Sequence, residues 1–419
     1  MTSQANCPYS SSDFVSLLDF NDVDPYPAYE ALRSKGDIVW DKKLQGWALL
    51  ADEHCRFVET REDLFRTTYA DATPEIKAVK GGETIPLLMG ERHDKARRFH
   101  MKLLSPVAVE AVRQAHIRPV IDWLLDRVVP SGKADLALDM AYQLPTRMIL
   151  SMFGLDWKND DLVNSIHDHH NTIVEWIGRR NPGGELGQRG LAASEALNDI
   201  LRPAILDRRQ NPSDDLISAI WEKAPVEYGP IDEKDVQAIC RELLFAGGDT
   251  TMQSLANAIF LLLTDDDARA AVEADRKTAL NHFVEEALRL YPSAQWRFRI
   301  ANQDIELGGQ SIKKDDVVIS VKAAANRDPS RYDCPADIKL DRPRPTDHLT
   351  FNTGPRTCAG ARLARAELRE MIQALLDRLP GLRLDKNSPP PRLSGVYMQG
   401  FRPLNVVFDE GGNHETGNP

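Results

Sequence analysis

Phe351-Asn352-Thr353-Gly354-Pro355-Arg356-Thr357-Cys358-Ala359-Gly360 sets one cysteine between two glycines, in a loop that runs straight into a helical pattern over residues 360–379. A thiolate placed there receives backbone N–H groups and the positive end of a helix dipole, and both lower a thiol pKa. Gly354 and Gly360 let the backbone approach a flat ligand closely, and Arg356 can meet a carboxylate. A lone cysteine is ordinarily a buried structural residue. The whole frame is what makes Cys358 a candidate ligand. Cys334, followed by Pro335, lacks the glycines and the arginine, and Cys7, Cys55 and Cys240 have no comparable setting.

Upstream of this loop, residues 235–263 read as an almost uninterrupted helix, apolar nearly all round in its second half and therefore buried. Ala246-Gly247-Gly248-Asp249-Thr250-Thr251 lies in its middle, where each glycine costs about 1 kcal/mol relative to alanine. A kink or widening at Gly247-Gly248, with the Thr250 hydroxyl turned away from the helix ladder, is expected. A glycine-lined helix crossing is the alternative. Glu242 falls on the same helix face as Ala246 and Asp249. It is expected either to put a second carboxylate into a cavity or to pair with a nearby Arg or Lys.

Composition narrows the possibilities. The 419 residues are 42% hydrophobic and 27% charged, which is ordinary globular usage. A net charge of −11 disfavours nucleic acid and anionic membrane as partners. Five scattered cysteines, an odd number, argue against a disulfide framework and for a reducing compartment. The polar start of the chain has the pattern of neither a signal peptide nor a membrane anchor, so a cytoplasmic protein is expected. Two basic clusters stand out: residues 92–102 with five Lys or Arg, and 356–369 with four Arg.

The remaining pattern predicts a short helix at 25–34, a hairpin at 37–50 turning near Gln45-Gly46, and a long loop at 67–90. Helix dominates 91–230, with breaks at 105–106, 130–132, 181–184 and 211–213. A helix at 268–290, strands at 297–307 and 317–321, an irregular 328–350 and β-like pieces up to 408 complete the chain. One domain over 14–409 with tails at 1–13 and 410–419 is expected. No Gly-x-Gly-x-x-Gly is present, so no flavin or nicotinamide domain is visible.

Smaller charge patterns complete the reading. Glu286 and Arg289 are three apart on one helix face, and His93 and Arg97 are four apart on another. His167-Asp168-His169-His170 resembles half of a metal site, but no second ligand pair of suitable spacing follows, so a solvated helix face is expected rather than zinc.

The frame Phe-x-x-Gly-x-Arg-x-Cys-x-Gly resembles the heme-binding loop of the cytochrome P450 family, with Asn352 where Gly is common and Pro355 before the arginine. Asn tolerates left-handed backbone geometry. Ala246-Gly-Gly-Asp-Thr250 is similar to the family's distal-helix motif, and the resemblance spans residues 24–408. It implies a mainly α, single-domain cytochrome P450 fold with a small β-rich region, and heme b (iron protoporphyrin IX) with Cys358 as axial ligand. Thr250 would hold dioxygen and its water, and Asp249 would feed protons for O–O cleavage. Glu286, Arg289 and Arg342 match the family's structural triad, and His93, Arg97, Arg299 and Arg356 its propionate partners. Substrate would meet Glu242, Phe245, Ala246, Gln295, Trp296, Val396, Tyr397 and the 67–90 loop. The implied reaction is O2-dependent monooxygenation of a small or mid-sized hydrophobic molecule. Electrons would come from an acidic 2Fe-2S-type ferredoxin with its reductase, docked on the basic clusters of a monomer. A peroxide-driven enzyme of the same fold and a non-catalytic heme sensor are the alternatives.

Overall fold

The computed structural model describes residues 16–180 and 183–409. The predicted tails, Cys7 and the Asn181-Pro182 portion of one predicted helix break lie outside the described residues.

Local sequence signals account for most element boundaries. Pro25 and Pro27 lead into the helix Tyr26–Arg33, as the fixed proline φ favours at a first helical turn. Ile38–Asp41 and Gly46–Leu49 form the expected hairpin, with Gln45 at φ 49° in its turn. The 67–90 segment is less irregular than expected, because Thr73 caps a short helix, Pro74–Val79. Within the helical region, Asn159 caps Asp160–Gly178 and Asp215 caps Leu216–Tyr228. The helix expected at 268–290 divides into Asp266–Ala274 and Thr278–Leu290. Asp275 causes the division by accepting hydrogen bonds from the Lys277 and Thr278 N–H groups at 3.0 and 2.8 Å.

The longest helix, Glu233–Thr264, starts at a reciprocal capping box between Asp232 and Asp235. It runs through the main hydrophobic core, against Leu144–Met152, Gly184–Gln210 and Ala361–Arg378. Among the described residues no helix is long and apolar enough to cross a membrane.

One mixed sheet orders Ile38–Asp41, Gly46–Leu49, Val317–Ser320, Arg297–Ala301 and Phe65–Thr67 side by side. Gly46–Leu49 and Val317–Ser320 pair in parallel and the other neighbours are antiparallel. A smaller apolar cluster around Leu49, Val58, Phe65 and Val318 anchors it. In this sheet Arg299 lies opposite Val318 on one side and Thr67 on the other. Arg297 and Arg299 therefore share one face, since side chains alternate along a strand.

Candidate active site

The cysteine loop is built from its own backbone. Cys358 N–H donates to Phe351 O at 2.8 Å, and Thr357 N–H to Gly354 O at 3.2 Å. Asn352 adopts φ 60°, ψ −178°, a region that costs a side chain of order 1–3 kcal/mol. Gly354, at φ +72°, packs so closely that a Cβ would lie 2.9 Å from Glu59 O. Its missing side chain thus allows close packing on the chain's own backbone. At Gly360 a Cβ would meet only the Cys358 Sγ, at 3.8 Å, so this glycine keeps the sulfur's surroundings open.

Burial pushes the Cys358 thiol up, while the Gly360 N–H and the charges of Arg297, Lys322 and Arg97 pull it down without offsetting the burial. The lowering groups expected from sequence are present, but without a metal the net direction is opposite to that expectation. A cation bound to sulfur would reverse it, since a coordinating thiol is deprotonated outright.

The four predicted cations converge on this loop. Arg97 donates to Thr357 O at 2.5 Å, and Arg356 donates to Leu88 O at 3.0 Å and pairs with Glu62. Arg299 is buried in an ion pair with Glu59. Burial and the Arg356 charge lower the His93 pKa, and its Nε2 has no hydrogen-bond partner among the described residues. Sequence reading passed over four further members: Arg297, Lys322, Glu59 and Glu62. Strand alternation from Arg299 points to Arg297, but nothing local signals Lys322. Its ammonium, among Arg297, Arg299 and Glu59, is pushed down to about 7 by burial and by the neighbouring arginines. Among the described residues, Arg97, Arg297, Arg299, Lys322 and Arg356 thus gather beside Glu59 and Glu62, with Glu242 on the far side of Arg297. A dianion such as the two heme propionates would balance this excess of positive charge, so the residues present fit the cofactor.

Glu286 and Arg289 form two hydrogen bonds, and Arg342 Nε donates to Glu286 at 3.0 Å. Arg289 also donates to the carbonyls of Asn326, Pro335 and Asp337. Beside this group, Glu285 receives two bonds from Arg365, in the helix after Cys358, and one from His348, just before the loop.

On the long helix the expected kink is not seen. Helical structure continues through Gly247-Gly248, and Thr250 Oγ donates back to Ala246 O at 2.8 Å, the bond that a mid-helix threonine can make within its own helix. Gly247 is explained by the alternative, a helix crossing: a Cβ there would stand 2.8 Å from Ile149 Cδ1. Ala246 is exposed and Thr250 half-buried, whereas Asp249 is buried.

Among the predicted substrate contacts, Phe245, Val396 and Tyr397 are half-buried, while Gln295 and Trp296 are 1% exposed and packed against protein. Trp296 meets Tyr397 edge-on at 5.6 Å. Burial raises the Glu242 pKa, and Lys80 and Arg297 counter it. Lys80, also missed from sequence, stands 5.2 Å from the ring centres of both Tyr69 and Phe245, and burial lowers its pKa to about 8. Arg297 lies within electrostatic reach of Cys358 on one side and of Lys80 and Glu242 on the other.

The histidine segment departs from the solvated face expected for it. His170 is fully buried and faces Asp249, and His167 is half-buried. Among the described residues no group of three His, Cys, Asp or Glu could hold a metal ion.

These features define a heme-thiolate type of site, and comparison with known proteins agrees. The cytochrome P450 family model matches residues 56–403. Pulcherriminic acid synthase of Bacillus subtilis is 27% identical, over 94% of this chain and 98% of its own length. The 6-deoxyerythronolide B hydroxylase of Saccharopolyspora erythraea is 31% identical, over 70% and 69%. The crystal structure of CalO2 superposes with a TM-score of 0.80 at 28% identity, covering 93% of this chain and 97% of that one. The chain belongs to the cytochrome P450 family: it is a P450 monooxygenase, and its cofactor is heme b.

Proposed function

We propose that this P450 inserts one oxygen atom of O2 into a C–H bond of a mid-sized hydrophobic substrate carrying an oxygen function, such as a terpenoid or an aromatic compound. Cys358 would hold the heme iron through its sulfur. His93, Arg97, Arg299 and Arg356 hold the propionates, with Arg297 and Lys322 completing the positive shell. When bound, the heme supplies dioxygen activation, and its thiolate ligand favours O–O cleavage. Asp249 and Thr250 would manage protons, Thr250 by releasing its bond to Ala246 O and Asp249 as the titratable group. The observation that carries this reading is Arg297, whose charge reaches both the Cys358 loop and the Glu242 side of the long helix.

Phe245, Ala246, Val396 and Tyr397 offer the apolar lining, and Glu242 with Lys80 a polar end that would meet the substrate's oxygen function. Gln295 and Trp296 support this lining from behind. Arg289, Glu286 and Arg342 brace the cysteine loop.

Electrons come from an acidic 2Fe-2S ferredoxin and its reductase. Several of the basic residues expected to receive it already have partners: Arg92 pairs with Glu83, Lys95 with Glu91, and Arg98 and Lys102 with Glu227. Exposed pairs of this kind contribute only about 0–1 kcal/mol each, so carboxylates of a partner can replace them. Arg362, exposed just after the loop, adds to the surface.

The test is reduced-nicotinamide consumption by the holoenzyme with ferredoxin and reductase, using ligands chosen by their low-to-high-spin shift of the heme band. Consumption that rises with ligand and yields an oxygenated product is expected. Product formed from peroxide alone, or no consumption with any spin-shifting ligand, overturns the proposal in favour of a peroxygenase or a sensor respectively.

A further inference from the structure

Behind Asp249 lies a histidine pair that the function above leaves unused. His170, in the helix Asp160–Gly178, is 0% exposed, and neither ring nitrogen has a hydrogen-bond partner among the described residues. Its Nδ1 stands 3.5 Å from Asp249 Oδ1, and Asp249 Oδ2 is buried and likewise unpartnered. Buried polar groups are ordinarily hydrogen-bonded, so two such groups face to face call for an explanation. A small rotation of either side chain would bring Nδ1 and Oδ1 to ordinary hydrogen-bond distance.

The surroundings hold this arrangement. Phe245 packs edge-on against the imidazole at 5.2 Å. Gly248 contributes no side chain of its own: a Cβ there would lie 3.9 Å from His170 Nδ1 and 3.6 Å from Thr146 Oγ. Thr146 Oγ is in turn 3.0 Å from Nε2 of His167, which lies one turn before His170 and is half-buried. The charged groups nearby are Arg147 and Asp168, beside His167, and Lys80, against the Phe245 ring.

We propose that His170 is the positioning and proton-bearing partner of Asp249. In the transfer the His170 Nδ1–H bond breaks and an Asp249 O–H bond forms, leaving a neutral imidazole and a carboxylic acid. Solvent water then returns a proton to His170, and His167, one turn earlier on the same helix and half-buried, is the titratable group on that side. The inference rests on the reading of Asp249 as the distal proton group.

The test uses the reconstituted holoenzyme with ferredoxin and reductase, and compares wild type with Asp249→Asn, His170→Phe and His170→Gln. Rates of O2 consumption are read in H2O and D2O, with the thiolate-type band of the reduced carbon monoxide complex as the folding control. Asp249→Asn and both His170 variants are expected to retain the band, to slow by about tenfold or more, and to show an altered solvent isotope effect. If His170→Phe loses the band, His170→Gln carries the comparison, since it keeps a hydrogen-bonding group but cannot pass a proton. A second readout is independent of turnover: 15N NMR of histidine-labelled protein should show a protonated His170 Nδ1 whose signal moves in Asp249→Asn. A slowed Asp249→Asn beside His170 variants at the wild-type rate overturns the role of His170 alone. An Asp249→Asn enzyme at the wild-type rate overturns the underlying reading of Asp249, and this inference with it. An Nδ1 signal indifferent to Asp249→Asn overturns the pairing.

Discussion

Arg289 holds Glu286 through two side-chain hydrogen bonds of 2.7 and 2.8 Å, one helical turn apart and almost wholly shielded from water. The remaining donors of the guanidinium reach carbonyls at Asn326, Pro335 and Asp337. The pair therefore ties the helix Thr278–Leu290 to the irregular chain that leads to the cysteine loop.

Arg289→Ala leaves Glu286 buried with Arg342 as its remaining charged partner, and removing one member of a buried pair costs about 3–5 kcal/mol. Equilibrium unfolding should show that loss, together with a lower heme content. Arg289→Lys should fall between the two, because an ammonium cannot reproduce the planar fork. Wild-type stability in Arg289→Ala would exclude the bracing role.

Glu285 is pushed up by burial, but its bonds from His348 and Arg365 outweigh this and hold it at about 2, against an ordinary 4.5. The unfolded chain thus binds the proton more readily. The stabilisation is complete above pH about 4.5 and is lost as pH falls toward 2, amounting to about 3 kcal/mol. Acid titration followed by circular dichroism should show Glu285→Gln with a flatter pH dependence in that window. A curve parallel to wild type would rule this out.

Cys358→Ser should abolish the thiolate-type spectrum of the reduced carbon monoxide complex. The cations around the propionate positions are untouched by the change, so some heme binding should persist. Survival of the thiolate spectrum would remove Cys358 as the ligand.

Asn352→Gly should stabilise the protein by about 1 kcal/mol, because relief of the positive-φ strain outweighs the added freedom of the unfolded glycine. Gly354→Ala should destabilise it, as its Cβ would press on Glu59 O. Thermal unfolding of the two variants tests both signs, and equal shifts in one direction would contradict them.

Glu242→Leu should change which ligands shift the heme spin state while leaving folding nearly intact, since among the described residues Lys80 and Arg297 act on the carboxylate by charge and not through an ion pair within 4 Å. A large stability loss with an unchanged ligand spectrum would place Glu242 in a structural pair instead.

Much of this protein was legible before any coordinates. The Cys358 frame, the Ala246-Gly-Gly-Asp-Thr250 segment and the long buried helix are local patterns, written in adjacent residues with fixed spacing. The split at Asp275 was missed because the helical periodicity on either side masks a single capping carboxylate. The continuity of the helix through Gly247-Gly248 was missed for another reason: the gap those glycines leave is filled by Ile149 and bordered by Thr146 and His170, from helices far away in sequence.

The sequence by itself determined the helical class, the family and the candidate ligand, because periodicity, capping and a short dense motif depend on neighbours along the chain. Only the tertiary structure decided the company those residues keep. It placed Glu59 against Arg299, Glu62 against Arg356 and His170 against Asp249, and it gathered Lys322 and Arg297 around Cys358. Burial and Coulomb interaction act through space, so the charge balance of the site follows from packing and not from spacing along the chain.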